Sequence, residues 1–517
     1  MIEDRQTAKT WKWVGLILVA VWLGLGLIRL TALSDLLDNS QDRQAGYVQD
    51  LLFNGNFACQ VDQDGLLCAK PPLFTWLAGL FSLPFGRTTE LGLQLTGSLA
   101  VLATMLMLWL VGRRWLGNWA AFFAALCLPF SLFGIRMVLL ARTDSLYMLL
   151  VAGAGIAAFA AWMRRGRWFW IWFWLLAAAA TLTKGPQGLI PAIVALAMCA
   201  WWEHRETERR PFLFGWAWWT GLGLFLLLCL GWFAWAWSQF GAEVIHKMLG
   251  KELVGHAINS KGRGDPLWQT FYKPLQWLLQ KYSPGFILAV LAVWQVWKRP
   301  AADPETRRFL RFCALYLLAG LLMFSLASHK RADLLSILLP PAAWLAGHEL
   351  AGLKARWNWP PQRVLAVLAA VWLAVLAGTW MDCHSPHHAK EKVIVQTRAL
   401  QEMASKFEAQ FGRDAEILYA KGWGKDGEEI ARTESPQAFQ FYLGTMRRTT
   451  PVEQIVARFA GPHPVMVAVG NLAAFKAELA KLNAPIYEVI PWPEPGTPSI
   501  LAIVSNRPPD IQAAPKP

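Results

Sequence analysis

The sequence predicts a mainly α protein: a polytopic transmembrane helical bundle followed by a small C-terminal extracytoplasmic α/β domain. Apolar runs of span length recur from residue 14 to residue 381. Hydrophobic residues fill 55% of the 517 positions and charged ones only 16%, a balance foreign to disordered and ordinary soluble chains. Lys and Arg outnumber Asp and Glu by 49 to 35, giving +14, which would suggest nucleic acid if the cations formed one solvated stripe. They sit instead in short clusters at the ends of apolar runs, so no nucleic-acid partner is expected. The mean hydropathy of +0.31 is modest for this class because a polar part after Met381 dilutes the apolar front.

The first apolar run, 14–33, is long enough to cross a hydrocarbon core of about 30 Å. It lacks a small-residue cleavage site, so a retained first helix with a cytoplasmic N-terminus is expected rather than a signal peptide. Further spans are expected at 91–112, 118–136, 145–162, 168–183, 186–202, 213–237, 276–297, 309–327, 333–348 and 363–381, about 11 in all. Alternate junctions are basic: Arg113 and Arg114; Arg164, Arg165 and Arg167; Arg205, Arg209 and Arg210; Lys298 and Arg299; Lys354 and Arg356. The positive-inside rule makes those junctions cytoplasmic. An odd span count then delivers the polar tail to the opposite face.

The domain reading follows: 1–381 is the membrane module, with a first extracytoplasmic loop at 34–90, and 382–507 is a soluble α/β domain. In the latter, AEILYA, PVMVAVG, PIYEVI and SILAIVS read as strands, and SPQAFQFYLG and LAAFKAELAKL as helices. The end, 508–517, is expected to be disordered.

Of seven cysteines, Cys127, Cys199, Cys229 and Cys313 lie inside spans and read as packing residues. Cys59 and Cys68 share the first loop, where an oxidising compartment could close them into a disulfide; two free thiols are the alternative. His384, His387 and His388 beside Cys383 suit either a metal or an exposed polar junction. The tryptophans cluster at span ends as interfacial belts do, and the small residues of 152–158 read as a packing face.

Chemistry is sought where charge runs against the apolar grain. The outer loops carry Asp42 and Arg43 at the start of an amphipathic stretch, and Lys70 before a Pro-Pro pair. Arg142 and Asp144 open a span, where an N-cap role for Asp144 competes with a functional one. Lys184 ends another span, and Ser328, His329, Lys330 and Arg331 crowd a turn. That last cluster breaks the positive-inside rule unless its cations meet an anion, and a phosphate at the membrane surface would serve. The long loop 238–275 reads mostly as solvated, with Glu252 and His256 as the best contributors to a lid.

These residues resemble the C-type (GT-C) membrane glycosyltransferases that use lipid-linked sugars. The nearer branch contains the lipid A aminoarabinose transferase, and protein O-mannosyltransferases are more distant. The resemblance rests on Gly55, Asn56 and Phe57, on KPPL at 70–73, on Asp144 opening a span, on TKG at 183–185, and on the SHKR turn before a Pro-ended helix within 325–341. Counted back from Gly55 without a gap, the family's first-loop carboxylate falls on Ser40, and a short gap restores Asp42. Ala69 stands where the family has an acid before the lysine, and Leu334 where it has a tyrosine.

The resemblance implies transfer of a sugar from a polyprenyl (undecaprenyl) phosphate carrier to an extracytoplasmic lipid A or glycolipid, glycan or protein acceptor, at the outer side of the bacterial inner membrane. Asp42 would be the base or acceptor-orienting group, and Asp144 would fix a cation or the sugar. Arg43, Lys70, Arg142, Lys184, Lys330 and Arg331 would bind the donor phosphate and sugar. No metal or other cofactor is implied. A lipid-linked-sugar flippase or transporter is the competing class; the midplane charges and internal repeats typical of transporters are not evident in the sequence.

Overall fold

The computed structural model describes residues 11–38, 41–207, 215–248, 270–328, 330–385, 388–421, 436–482, 484–494 and 499–508. The lid residues Glu252 and His256, together with Ser40, His329, His387 and the end 509–517, lie outside the described residues. The chain divides into two compact units. One comprises Met1–Thr31, Ala69–Phe74 and Gln94–Met381; the other comprises Ala32–Cys68, Thr75–Leu93 and Asp382–Pro517.

The first unit is helical. It holds α1 (Val14–Thr31), α4 (Glu90–Trp115) from Gln94 on, α5 (Asn118–Cys127), α6 (Leu132–Leu139), α7 (Thr143–Trp162), α8 (Phe169–Lys184) and α9 (Ile190–Thr207). It continues with α10 (Trp216–Phe240), α11 (Lys273–Tyr282), α12 (Gly285–Lys298), α13 (Pro304–Leu326), α14 (Leu339–Arg356) and α15 (Pro361–His384). Two further helices, α2 (Gln41–Asn54) and α3 (Leu73–Ser82), precede α4 in the chain.

The expected count of about 11 spans is not reached: seven described helices are long and apolar enough to cross a membrane, or eight if α5 and α6 form one bent span. The physical reasons are specific. The run 118–136 is broken at 128–131, where Pro129 lacks an N–H and Ser131 caps the next helix by accepting from the Gly134 amide at 3.1 Å, giving a 64° bend. The run 276–297 is split at Ser283, just before Pro284. At about 1.5 Å per residue, the 16 residues of α8 reach roughly 24 Å, short of a core of about 30 Å. The end of α9 carries Glu203, Arg205 and Glu206.

Lipid tails are as apolar as leucine, so close packing rather than expulsion of water holds such helices together. The small-residue stretch of α7 is accordingly buried, with α8 and α9 packed against that helix. Trp344 of α14 is buried and donates to the Leu108 carbonyl at 3.0 Å. Trp115, Phe159 and Phe309 interlock at centroid distances of 4.8–5.5 Å. Glu203, buried on α9, accepts two bonds from Arg308 of α13, one from Nε at 3.1 Å. Trp168, Trp216 and Trp219 stay exposed at helix starts, as interfacial anchors do.

The second unit holds α2, α3, α16 (His388–Phe411), α17 (Pro436–Leu443), α18 (Val452–Phe459), α19 (Leu472–Ala480) and a sheet. Its strands are β1 (Leu418–Ala420), β2 (Thr449–Thr450), β3 (Met466–Val469), β4 (Tyr487–Ile490) and β5 (Ala502–Ser505), in the order β2-β1-β3-β5-β4. Strands β2, β1 and β3 run parallel, and β5 pairs antiparallel with both β3 and β4. Val467, Val469 and Val504 face Ile455, Phe459, Phe475 and Leu479 in its core.

The first loop is built into this unit. Gly46 of α2 approaches Gln437 so closely that any Cβ would overlap the amide nitrogen at 1.2 Å. Gln49 donates to the Gln440 and Thr445 carbonyls. Asp50, fully buried, receives Arg448 at 2.8 Å and also Asn54, Asn56 and the Val61 amide. A buried carboxylate without these partners would be costly.

Candidate active site

The catalytic candidates of the first unit meet where α7 begins. Arg142 is extended (φ −135°, ψ 147°), and the helix starts at Thr143, so Thr143 and Asp144 lie in its first turn. Asp144 is buried, at 3% exposure. Its Oδ1 receives the ammonium of Lys184, the last residue of α8, and its Oδ2 lies 3.2 Å from Arg142 Nε. Arg142 Nη2 reaches Asp333 Oδ2 at 2.5 Å, and Arg331 Nε reaches the other oxygen of Asp333 at 3.1 Å. Lys70 Nζ donates to Thr143 Oγ1 at 2.9 Å.

Tyr147, one turn after Asp144, fixes the segment that carries Lys184. Its hydroxyl donates to the Gly185 carbonyl at 2.8 Å and accepts from the Gly188 amide at 2.7 Å. Gly188 is required because a Cβ there would sit 2.4 Å from that hydroxyl. Burial, with the repulsion of Lys184 and Arg142, pushes the Lys70 ammonium down from 10.5 to about 8, against the attraction of Asp144 and Asp333.

The network joins four cations (Lys70, Arg142, Lys184, Arg331) to two carboxylates (Asp144, Asp333). A closed structural ion network tends toward neutrality because unpaired buried charge is expensive. The surplus of two positive charges is what a site for an anionic ligand requires.

Four of the sequence candidates (Lys70, Arg142, Asp144, Lys184) thus come together, and Arg331 joins them through Asp333. Lys330 bonds to Thr270 Oγ1 at 3.1 Å and the Ala327 carbonyl at 2.6 Å. Asp42 and Arg43 belong to the second unit, in the first turn of α2. The Asp42 amide donates to Leu36 O at 3.0 Å, and Arg43 acts on Asp62, whose carboxyl is raised by burial while that cation opposes the shift. Sequence reasoning missed Thr143, Tyr147 and Asp333. The i, i+3 spacing of Asp144 and Tyr147 on one helix face was the available signal.

Cys59 and Cys68, for which the sequence leaves a disulfide and two free thiols open, are both buried, with their sulfurs 3.0 Å apart. They flank a hairpin closed by Asp62 N to Leu66 O at 2.9 Å and Cys68 N to Gln60 O at 2.8 Å. Protein from an oxidising compartment is nonetheless expected to carry the bridge, since the thiols already face each other. Peptide mapping without reductant would then find a linked pair lighter by two hydrogens and a stability gain of roughly 2–3 kcal/mol over Cys59→Ser. Full alkylation of both thiols would refute it.

Residues 69–235, which include Lys70, Arg142, Asp144, Tyr147 and Lys184, match the model of the dolichyl-phosphate-mannose-protein mannosyltransferase family. The structure superposes on that of ArnT from Cupriavidus metallidurans bound to undecaprenyl phosphate, with a TM-score of 0.71 and 15% identity, covering 98% of this chain and 99% of that one. The chain has the fold of ArnT. The apo form of that ArnT matches with a TM-score of 0.68 at 14% identity, over 99% of this chain and 100% of the other. The Archaeoglobus fulgidus oligosaccharyltransferase in complex with zinc and sulfate matches at 0.53 and 10% identity, over 92% and 68% of the respective chains. Searching curated protein sequences finds no match. With the ArnT fold and seven described helices long and apolar enough to cross a membrane, this is a multi-pass membrane protein.

Proposed function

We propose that this protein is an integral-membrane glycosyltransferase that moves a sugar from a polyprenyl phosphate to an extracytoplasmic acceptor such as lipid A, another glycolipid, a glycan or a protein. The observation that carries the reading is the positive surplus around Asp144, within a fold whose ArnT representative is described as bound to undecaprenyl phosphate. In the reaction an acceptor oxygen attacks the anomeric carbon, the bond from that carbon to the phosphate oxygen breaks, and polyprenyl phosphate departs with the electron pair. A preorganised set of cations favours charge that grows on the leaving phosphate. Lys70, Arg142 and Lys184 fill that role, with Arg43, Lys330 and Arg331 as further donor contacts. Asp144 holds Arg142 and Lys184 in register, and Asp42 takes the acceptor proton or orients the acceptor. Because the cations neutralise the phosphate, the step runs without metal.

The location proposed is the bacterial inner membrane, with a cytoplasmic N-terminus, a membrane module over 1–381 and a periplasmic domain over 382–507. The test is purified protein given a labelled polyprenyl-phosphate sugar, an acceptor extract and a chelator. Release of polyprenyl phosphate with label on acceptor supports the transferase; binding without turnover makes the protein a flippase or transporter instead. Asp42→Asn is expected to lower turnover by roughly 100-fold or more, the usual scale for losing a general base. Full activity in that variant removes Asp42 from the mechanism.

A further inference from the structure

The end of the helical unit opposite the Asp144 network holds a cleft of its own. Helix α7 starts at that network and runs for 20 residues, roughly 30 Å at about 1.5 Å per residue. Arg165, three positions beyond its end, pairs with Glu305 in the first turn of α13. At the same end Thr306 Oγ1 donates at 2.6 Å to the carbonyl of Trp115, the last residue of α4. Between the start of α13 and the later turns of α12 and α14 lies a cleft of about 310 Å³, its open mouth included. Gln295, Arg299, Arg307, His348 and Glu349 are among the residues that line it.

The charges of this cleft are not paired with one another. Glu349 of α14 is 6% exposed and accepts one hydrogen bond, from Gln295 Nε2 to its Oε2 at 2.8 Å. Among the described residues it forms no ion pair, and its Oε1 has no hydrogen-bond partner. The side chains of Arg299 and Arg307 likewise form no hydrogen bond or ion pair among the described residues. Arg356, two turns further along α14, acts on Glu349 only from beyond ion-pair distance. A hydrogen bond between two polar side chains can tie membrane helices together, but an amide pair does this without a charge. A buried carboxylate left without a cation is expensive, and here two guanidiniums of the same cleft stay apart from it. Opposite charges held apart in one cleft suit a ligand that carries both signs.

Helix α12 extends the cleft along its own axis. Ile287, Leu291, Gln295 and Arg299 recur every four residues and so form one ridge. Ile287 and Leu291 are exposed at 49% and 47%, an apolar track that leads away from the charged end. Lys298 and Arg299, with Lys354 and Arg356 at the end of α14, mark that charged end as headgroup level.

We propose that this cleft binds the zwitterionic headgroup of an aminophospholipid, with the primary ammonium on Glu349 and the phosphate on Arg299 and Arg307. One carboxylate meets one ammonium, and two guanidiniums share one phosphate through charge-assisted bonds. A primary ammonium has three donors, and neutral His348 in the cleft wall offers an acceptor besides Glu349 Oε1. The acyl chains lie along Ile287 and Leu291, which a soluble zwitterion would leave uncovered. This site goes beyond the proposed sugar transfer and does not rest on it.

The test is native mass spectrometry of the full chain in detergent, titrated separately with phosphatidylethanolamine, phosphatidylglycerol and soluble phosphoethanolamine. The ethanolamine lipid is expected to bind roughly tenfold or more tightly than the glycerol lipid, the scale of one hydrogen bond between charged groups. Glu349→Gln keeps the shape of the side chain and should abolish that preference, leaving phosphatidylglycerol binding unchanged or tighter. Arg307→Gln should weaken both lipids by a similar factor. A loosened fold does not imitate this pair of results, because the first is a change of ratio and the second a shared loss. Equal affinity for the two lipids in the unaltered protein, or a preference that survives Glu349→Gln, overturns the site. Phosphoethanolamine binding as tightly as the lipid overturns the lipid-borne assignment. Release of polyprenyl phosphate from a labelled donor should proceed in Glu349→Gln as in the unaltered protein, so this site and the transferase reading fail separately.

Discussion

Asp144→Asn is expected to reduce kcat for sugar transfer by roughly 100- to 1000-fold while leaving donor binding as tight as in the unaltered protein, or tighter. The carboxylate is buried and holds Lys184 and Arg142 at once. An amide of the same shape keeps the volume but removes the negative charge, so Lys184 and Arg142 repel each other and Lys70. Among the described residues, Arg142 then keeps only Asp333, and Lys184 loses its one carboxylate. Breaking a buried ion pair costs about 3–5 kcal/mol. If about 3–4 kcal/mol of that appears as lost cation positioning at the departing phosphate, the rate falls by the stated factor.

The variant also carries one more positive charge, which is why an anionic donor should not be lost. That split between kcat and KM separates a positioning role from simple unfolding, which would lower both expression and binding. Asp144→Glu supplies the second readout: it restores the charge with a longer reach and should recover part of the rate. Turnover within threefold of the unaltered protein in Asp144→Asn, with the thermal transition intact, would remove Asp144 from the mechanism.

The residues visible in the sequence were those whose charge opposed their surroundings. Lys70, Arg142, Asp144 and Lys184 stand out because each interrupts an apolar context, and the fold brings them together. Tyr147 and Thr143 look like ordinary helix residues; their roles depend on Gly188 and Lys70, which approach only in three dimensions. Asp333 was hidden by its basic neighbours, yet it explains part of the violated charge rule in that turn by pairing with Arg331. In the second unit, Asp50 and Arg448 are 398 positions apart, and no periodicity links them. Strands β3 and β5 were legible as apolar runs, whereas β2, with only two residues, had no pattern to read. Hydropathy located the apolar helices of the first unit but not their interruptions, because Pro129 and Pro284 alter backbone hydrogen bonding without much changing local apolarity, and the polar α16 and α18 of the second unit were not read as helices.

The Lys70 ammonium makes the proposed donor site pH-dependent in a direction that can be worked out. Its proton is held up to about pH 8, well below the ordinary 10.5, because burial and the cations Lys184 and Arg142 outweigh Asp144 and Asp333. Below that value Lys70 can donate a charge-assisted bond to phosphate; above it, the neutral amine cannot attract the anion. Polyprenyl phosphate affinity should therefore fall as pH rises through about 8, even though the phosphate itself is fully ionised there. The stability of the unliganded protein should move the other way. A lysine whose folded value lies below its unfolded value binds fewer protons when folded, so its contribution to stability rises with pH between the two.

Opposite trends in binding and stability exclude alkaline unfolding as the cause of the lost affinity. Lys70→Ala should weaken binding by roughly 10- to 100-fold at neutral pH, the scale of one hydrogen bond to a charged group at about 1.5–3 kcal/mol. Lys70→Arg, whose guanidinium stays protonated, should flatten the profile between pH about 7 and about 10 even if its geometry binds less well. The decisive measurement is a binding isotherm for polyprenyl phosphate at successive pH values. A level profile in the unaltered protein, or an unchanged decline in Lys70→Arg, would assign the titrating group elsewhere and take Lys70 out of the phosphate site.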